Sequence, residues 1–137
     1  MKIAWTPDLA IGDGMIDRQH KELFAQVDRL VTAIREKRNI EEVREIVDFL
    51  ERYVIVHFDA EERLMEQAYF PDINSHRREH ARFVEKWKGL KAIFEREGPS
   101  LAFALSLNRV VVSWLRYHIA VRDKAVGRYI AERAKAA

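Results

Sequence analysis

Apolar residues recur at steps of three and four along most of this chain. From about 18 to 37, His20, Leu23, Phe24, Val27, Leu30, Val31 and Ile34 share one stripe, and Arg18, Gln19, Lys21, Glu22, Asp28 and Arg29 fall between them. A second stripe runs from about 41 to 67 through Val43, Ile46, Phe49 or Leu50, Tyr53, His57, Glu61, Leu64 and Met65. A third, from about 72 to 96, holds His76, His80, Phe83, Val84, Trp87, Leu90 and Phe94. The fourth begins near 101, with Leu107, Val111, Trp114, Leu115 and His118 facing inward.

The breaks between stripes are chemically marked. Lys37-Arg38-Asn39 is a short polar connection, Phe70-Pro71-Asp72 a turn, and Gly98-Pro99-Ser100 a stop followed by a cap. Residues 1–16 contain Pro7, Gly12 and Gly14 and lack helical period, which predicts an extended arm anchored by Trp5 and Leu9, with Asp17 as the first N-cap. Gly127 marks a weak point late in the fourth helix, and the tail 130–137 reads as helix fraying at its end. No segment alternates with period two over a useful length. The expectation is an all-α fold: an up-down-up-down antiparallel four-helix bundle with an extended N-terminal arm. Residues 1–137 form a single domain, with the arm at 1–16 and the bundle at 17–134.

Composition narrows the function. With 24 Lys+Arg against 22 Asp+Glu, interspersed, the chain carries no electrostatic footprint for nucleic acid. It has no cysteine, which removes disulfides, iron–sulfur clusters, cysteine zinc sites and thiol catalysis. No apolar run approaches a membrane span and the N-terminus has no signal core, so the cytoplasm is the expectation; the exposed positions show no large apolar patch, so a monomer is expected.

All five histidines fall on inward stripes. A lone inward histidine is usually a hydrogen-bonded core residue. Five together would fill a core with rings whose nitrogens all need partners, and metal supplies such partners. His57 and Glu61 are four apart, as are His76 and His80, so each pair sits one turn apart on one helix face. Asp123 lies five residues after His118, which on an ideal helix is about 140° past full turns. If both reach one site, the fourth helix must kink, break or widen between them. Glu62 and Asp59 are expected to face solvent. Asp17, three before His20, has a D-x-x-H spacing but reads better as a cap. Five imidazoles and two carboxylates without sulfur suit iron, zinc, copper or manganese, and are too many for one ion. If both carboxylates bridge two octahedral ions and an oxide or hydroxide joins them, one coordination position stays open, on the ion with fewer histidines.

The set of motifs I-D-R-Q-H at 16–20, H-F-D-A-E-E-R-L-M at 57–65, H-R-R-E-H at 76–80 and W-L-R-Y-H-I-A-V-R-D at 114–123 resembles the haemerythrin family in its bacterial single-domain form. The resemblance spans Trp5 to Asp123, and Pro71 fits it too. It implies reversible O2 binding at a non-haem di-iron centre with a bridging oxide or hydroxide. It assigns His76, His80 and His118 to one iron, His20 and His57 to the second, open iron, and Glu61 and Asp123 to the bridges. It also implies an apolar O2 pocket of Phe58, Trp114, Leu115 and Ile119; that Leu115 gates this pocket is a further hypothesis. The function expected is an oxygen carrier, store or scavenger rather than an enzyme, with an oxygen-consuming enzyme as the partner class.

Three rivals compete. H-R-R-E-H also matches the H-x-x-E-H zinc-peptidase signature, with Glu79 as general base, but that leaves His20, His57 and His118 unexplained. A di-iron enzyme with peroxidase, ferroxidase or nitric-oxide activity is the stronger rival, although carboxylate-rich bundles that activate O2 carry E-x-x-H on two helices and this chain has no such pair. An O2 or redox sensor is the third.

Overall fold

The computed structural model describes residues 3–136; Met1, Lys2 and Ala137, ends of the expected arm and tail, lie outside the described residues. Helix α1 spans Gly14–Arg35, α2 Ile40–Gln67 and α3 Ile73–Glu97. The fourth column is built in pieces: α4 (Leu101–Leu107), a π-helical segment (Asn108–Val112), α5 (Ser113–Tyr117), a second π-helical segment (His118–Asp123) and α6 (Lys124–Ala136). These columns form an antiparallel four-helix bundle, with α1 packed on α2, α2 on α3, and α3 on the fourth column.

Local chemistry explains the boundaries. Asn39 accepts from the Glu42 amide at 2.9 Å and Ser100 from the Phe103 amide at 3.1 Å, each satisfying an orphan donor of the helix it starts. Gly98 ends α3 at φ 69°, a conformation that costs other residues. Helices α1 and α2 end with Lys37 (φ 54°) and Tyr69 (φ 57°) in the left-handed region. There Arg38 N–H reaches back to the Ala33 carbonyl and Phe70 N–H to the Met65 carbonyl, both at 3.0 Å.

Two expectations need correction. The first N-cap is Asp13, whose side chain accepts from the Ile16 amide at 3.0 Å, so α1 starts four residues before Asp17 would have allowed. Asp17 instead sits in the first turn and fastens the arm, accepting from Ile11 N–H at 2.8 Å and Gly12 N–H at 3.3 Å. Gly127 does not break its helix. It lets the arm approach: a Cβ there would stand 2.1 Å from the Ile11 carbonyl oxygen. The arm itself carries a short 3-10 turn, Pro7–Leu9, that packs against the second π segment. Ile3, Leu9 and Ile11 are buried, and Trp5 lies half-buried under the Lys21 ammonium, 4.5 Å from its ring centroid.

The core divides along the bundle axis. Leu30, Val43, Ile46, Val47, Leu50, Leu90, Phe94, Phe103 and Leu107 make the apolar part. The histidines gather at the other end. His20 is near the start of α1, His57 and Glu61 are late in α2, His76 and His80 are early in α3, and His118 and Asp123 are late in the fourth column. Alternating helix direction brings those four stretches to one level.

Candidate metal centre

All five histidines, Glu61 and Asp123 are buried, none more than 2 % exposed. Their ligand atoms form two groups: Glu61, His76, His80, His118 and Asp123 in one, and His20, His57, Glu61 and Asp123 in the other. Within each group the atoms lie within 4.8 Å of one another. The two carboxylates belong to both.

The atom-level pattern is sharper. Glu61 Oε1 lies 2.6 Å from His76 Nε2, 3.2 Å from His80 Nε2 and 3.7 Å from His118 Nε2. Its other oxygen, Oε2, lies 3.2 Å from His57 Nε2 and 3.7 Å from His20 Nε2. Asp123 repeats the division: Oδ1 faces His118 Nε2 at 3.0 Å and His76 Nε2 at 2.9 Å, while Oδ2 faces His20 Nε2 at 3.1 Å. Glu61 therefore presents one oxygen to three histidines and the other to two, and Asp123 presents one oxygen to two histidines of the first group and the other to His20 of the second.

The second π segment makes this possible. A π turn takes in an extra residue, so His118 and Asp123, five apart, come onto one face. The widening anticipated from their spacing is there. The first π segment, Asn108–Val112, had no counterpart in the sequence reading.

The groups fit metal better than one another. Asp123 Oδ1 and Oδ2, Glu61 Oε2 and His20 Nε2 are buried and close to complementary atoms, yet none makes a hydrogen bond of acceptable direction. The Nε2 atoms of His76 and His118 stand 3.0 Å apart, so at least one must present a lone pair rather than a proton. Atoms bound about 2.1 Å from one octahedral ion stand about 3.0 Å apart when adjacent and about 4.2 Å when opposite. Apart from the 2.6 Å Glu61–His76 contact, the facing atoms stand 2.9 to 3.7 Å apart, near the adjacent distance.

The electrostatics agree. Burial acts to lower His20 and His76, but the facing carboxylates of Asp123 and Glu61 outweigh it and push both up to about 9. His118 is raised against its burial by the same pair. His57 is lowered, because burial dominates there. Glu61 is held well below the usual carboxylate range despite its burial by His118, His20, His57 and His76. Asp123 is lowered too: burial and the charge of Glu61 act upward, and His118, His20 and His76 overcome them.

Three contacts escaped the sequence reading. Gln19 Oε1 lies 2.8 Å from His57 Nδ1, Glu62 Oε2 lies 2.8 Å from His80 Nδ1, and Glu79 Oε2 lies 3.4 Å from His118 Nδ1. Glu62 was expected to face solvent; it is only a quarter exposed and turned toward α3. Each of the three is the sequence neighbour of a site residue, about 100° round its helix from the inward stripe, so the stripe alone did not point to it. Asp59 is exposed as expected. Glu79 is committed to His118 and to Arg122 (2.9 Å), which counts against the peptidase base proposed for it.

Two of the expected pocket residues lie against histidine rings. Phe58 stacks on the His80 ring at 3.8 Å and 4°, and Trp114 on His118 at 4.3 Å and 10°. Phe58, Leu115 and Ile119 are buried and Trp114 is half-buried. Phe58, Leu115 and Ile119 belong to the hydrophobic core and Trp114 packs against it.

The sequence model described as the hemerythrin HHE cation binding domain matches residues 12–130. The chain belongs to the haemerythrin family. Among relatives, it is 31% identical over 127 residues to a bacteriohemerythrin of Methylococcus capsulatus, covering 91% of this chain and 94% of that one. A bacteriohemerythrin of Stenotrophomonas maltophilia is 30% identical over 123 residues, 90% of this chain and 78% of its own. The crystal structure of wild-type hemerythrin superposes with a TM-score of 0.82 at 28% identity, covering 95% of this chain and 98% of that one. Haemerythrins share a di-iron, O2-binding fold and are generally O2 binders rather than enzymes. Among the described residues, no helix is long and apolar enough to cross a membrane.

Proposed function

We propose that this chain binds O2 reversibly at a non-haem di-iron centre, as a carrier, store or scavenger. The observation that carries this reading is the division of Glu61 and Asp123, each offering one oxygen to a three-histidine group and one to a two-histidine group. His76, His80 and His118 would hold one iron, His20 and His57 the other, and the two carboxylates would bridge. The two-histidine position is one ligand short, which leaves room for one small molecule. When bound, a ferrous pair supplies the electrons that reversible O2 binding requires.

The protein's own work is to hold and to exclude. Four helices fix the seven ligands from one end of a packed bundle, so the ligand set is built before metal arrives. Phe58, Leu115 and Ile119 keep water from the site, which matters because water and protons release reduced oxygen and leave the metal oxidised. Leu115 would gate the pocket.

The test is anaerobic loading with ferrous iron, followed by optical spectra before O2, with O2, and after its removal under argon. Two irons per chain and a visible band that comes and goes are expected. A band that only decays, with peroxide turnover, would favour a di-iron enzyme. Failure to take up iron would overturn the proposal.

A further inference from the structure

The two candidate metal positions differ in what stands behind their histidines. A histidine that binds metal through Nε2 keeps Nδ1–H as a donor, and the acceptor it finds sets the ring's orientation and basicity. Behind two of the three histidines in the larger group those acceptors are anionic: Glu62 Oε2 at 2.8 Å from His80 Nδ1, and Glu79 Oε2 at 3.4 Å from His118 Nδ1. Arginines fix both. Arg77 Nε donates to Glu62 Oε1 at 3.3 Å; Arg122 donates to Glu79 Oε2 at 2.9 Å and to Ser75 Oγ at 3.0 Å. Behind the two-histidine group the chemistry is neutral. His57 Nδ1 meets the carboxamide oxygen of Gln19 at 2.8 Å, and His20 Nδ1 is buried without a hydrogen-bond partner.

The contacts follow a rule along the chain. Gln19 precedes His20, Glu62 follows Glu61, and Glu79 precedes His80. Each helix lends the neighbour of its own site residue to a ring on the next helix. The same device is used three times, with an amide at the first interface and carboxylates at the other two.

We infer that Glu62 and Glu79, against Gln19, are positioning residues that make the two metal positions electronically unequal: the three-histidine position favours ferric iron and the two-histidine position ferrous iron. This rests on the di-iron reading above. A carboxylate accepting Nδ1–H draws the proton outward and leaves the ring a stronger electron donor, which stabilises the more highly charged ion. An amide oxygen does this less, and an absent partner does not do it at all. The ordering coincides with ligand count: the position poorer in electron donation is also the one with room for O2. Glu62, nearer its ring and not sharing its contacting oxygen with an arginine, should exert the larger effect.

The test compares wild type, Glu62→Gln, Glu79→Gln and Gln19→Glu, each loaded with iron, by iron content and by midpoint potential from optical titration. Glu62→Gln and Glu79→Gln should raise the potential, Glu62→Gln more, and Gln19→Glu should lower it. A tenfold change in ferric over ferrous preference corresponds to about 59 mV for one electron. Outer partners of metal-bound histidines carry effects of about 10- to 100-fold, so shifts of that order are expected. Lost iron or lower melting temperature with an unmoved potential would make these contacts merely structural and overturn the inference. So would shifts of the same sign in Glu62→Gln and Gln19→Glu. Gln19→Glu leaves every existing carboxylate in place, so it decides the matter even if the other variants retain no iron. Wild-type protein with a reversible O2 band but variants of unmoved potential sinks this inference alone; wild-type protein that takes up no iron sinks it together with the proposed function.

Discussion

Gly127 and Gly89 offer a paired test of how the arm holds the site. Both lie in helices, and both as alanine would gain about 1 kcal/mol of helix propensity. Their surroundings are opposite. A Cβ on Gly89 meets nothing within 4 Å, whereas a Cβ on Gly127 stands 2.1 Å from the Ile11 carbonyl oxygen and 2.9 Å from its carbon. Backbone cannot rotate aside, so Ile11 must retreat by roughly 1 Å to restore a tolerable contact. A retreat of that size should strain or break the 2.8 Å bond from Ile11 N–H to Asp17. Losing a bond to a carboxylate costs about 1.5–3 kcal/mol and the residual crowding about 1–3 kcal/mol. Set against the propensity gain, Gly127→Ala should cost about 1.5–5 kcal/mol and lower the melting temperature by roughly 5–15 °C. Gly89→Ala should raise it by about 3 °C.

The consequence reaches the metal centre. The arm's Pro7–Leu9 turn packs on the π segment that carries Asp123, and Lys124 Nζ donates to the Asp8 carbonyl at 2.6 Å. Gly127→Ala should therefore also lower iron retention during dialysis against a weak chelator, while Gly89→Ala leaves it unchanged. Thermal melts of the metal-free proteins and iron assays after dialysis measure both. A Gly127→Ala protein as stable as wild type, with full iron, would refute the view that the arm braces the site.

Leu115→Ala opens the dry wall; in iron-loaded protein it should speed autoxidation, followed as decay of the O2 band, and an unchanged rate would remove Leu115 as gate. Asp123→Ala removes one oxygen from each histidine group, so iron content should fall below two per chain, whereas a full complement by elemental analysis would show that Asp123 is no bridge. The pH dependence should run in opposite directions with and without metal. In metal-free protein, His20 and His76 are raised from 6.5 to about 9, so their pairing with Asp123 and Glu61 stabilises the fold fully below about pH 6.5 and fades as pH rises through 9. Metal must displace those protons, so affinity should climb over the same window, measured by competition with a chelator. A metal-free melting temperature that rises from pH 6.5 to 9 would contradict this. Lys37→Gly, replacing an exposed residue held at φ 54°, should stabilise by about 1 kcal/mol in denaturant titration.

Much of this molecule was legible without coordinates because helices write their buried faces at a regular spacing. The stripes through Val43, Ile46 and Leu50 and through Phe83, Trp87, Leu90 and Phe94 are buried as read. The motif pairs His57–Glu61 and His76–His80 place their own members on one face without help from the rest of the chain. Even the widened turn between His118 and Asp123 was implied by a spacing that an α-helix cannot serve. Caps were less legible: Asp13 and Asp17 both suit a helix start, and which of them caps depends on where the arm arrives.

What the sequence alone determined was periodicity and chemistry: four helices, an inward set of seven ligand-type residues, and no sulfur. Those properties are local, set by residue type and by angle around one helix axis. What only the tertiary structure decided was relation between helices. It divided Glu61 and Asp123 oxygen by oxygen between two histidine groups, turned Glu62 from an expected solvent position to the back of His80, set Glu79 behind His118, and made Gly127 a point of contact rather than weakness. A residue 100° off the inward stripe belongs to water or to the next helix according to how closely that helix packs. Packing distance is a property of the assembled bundle that no single segment contains.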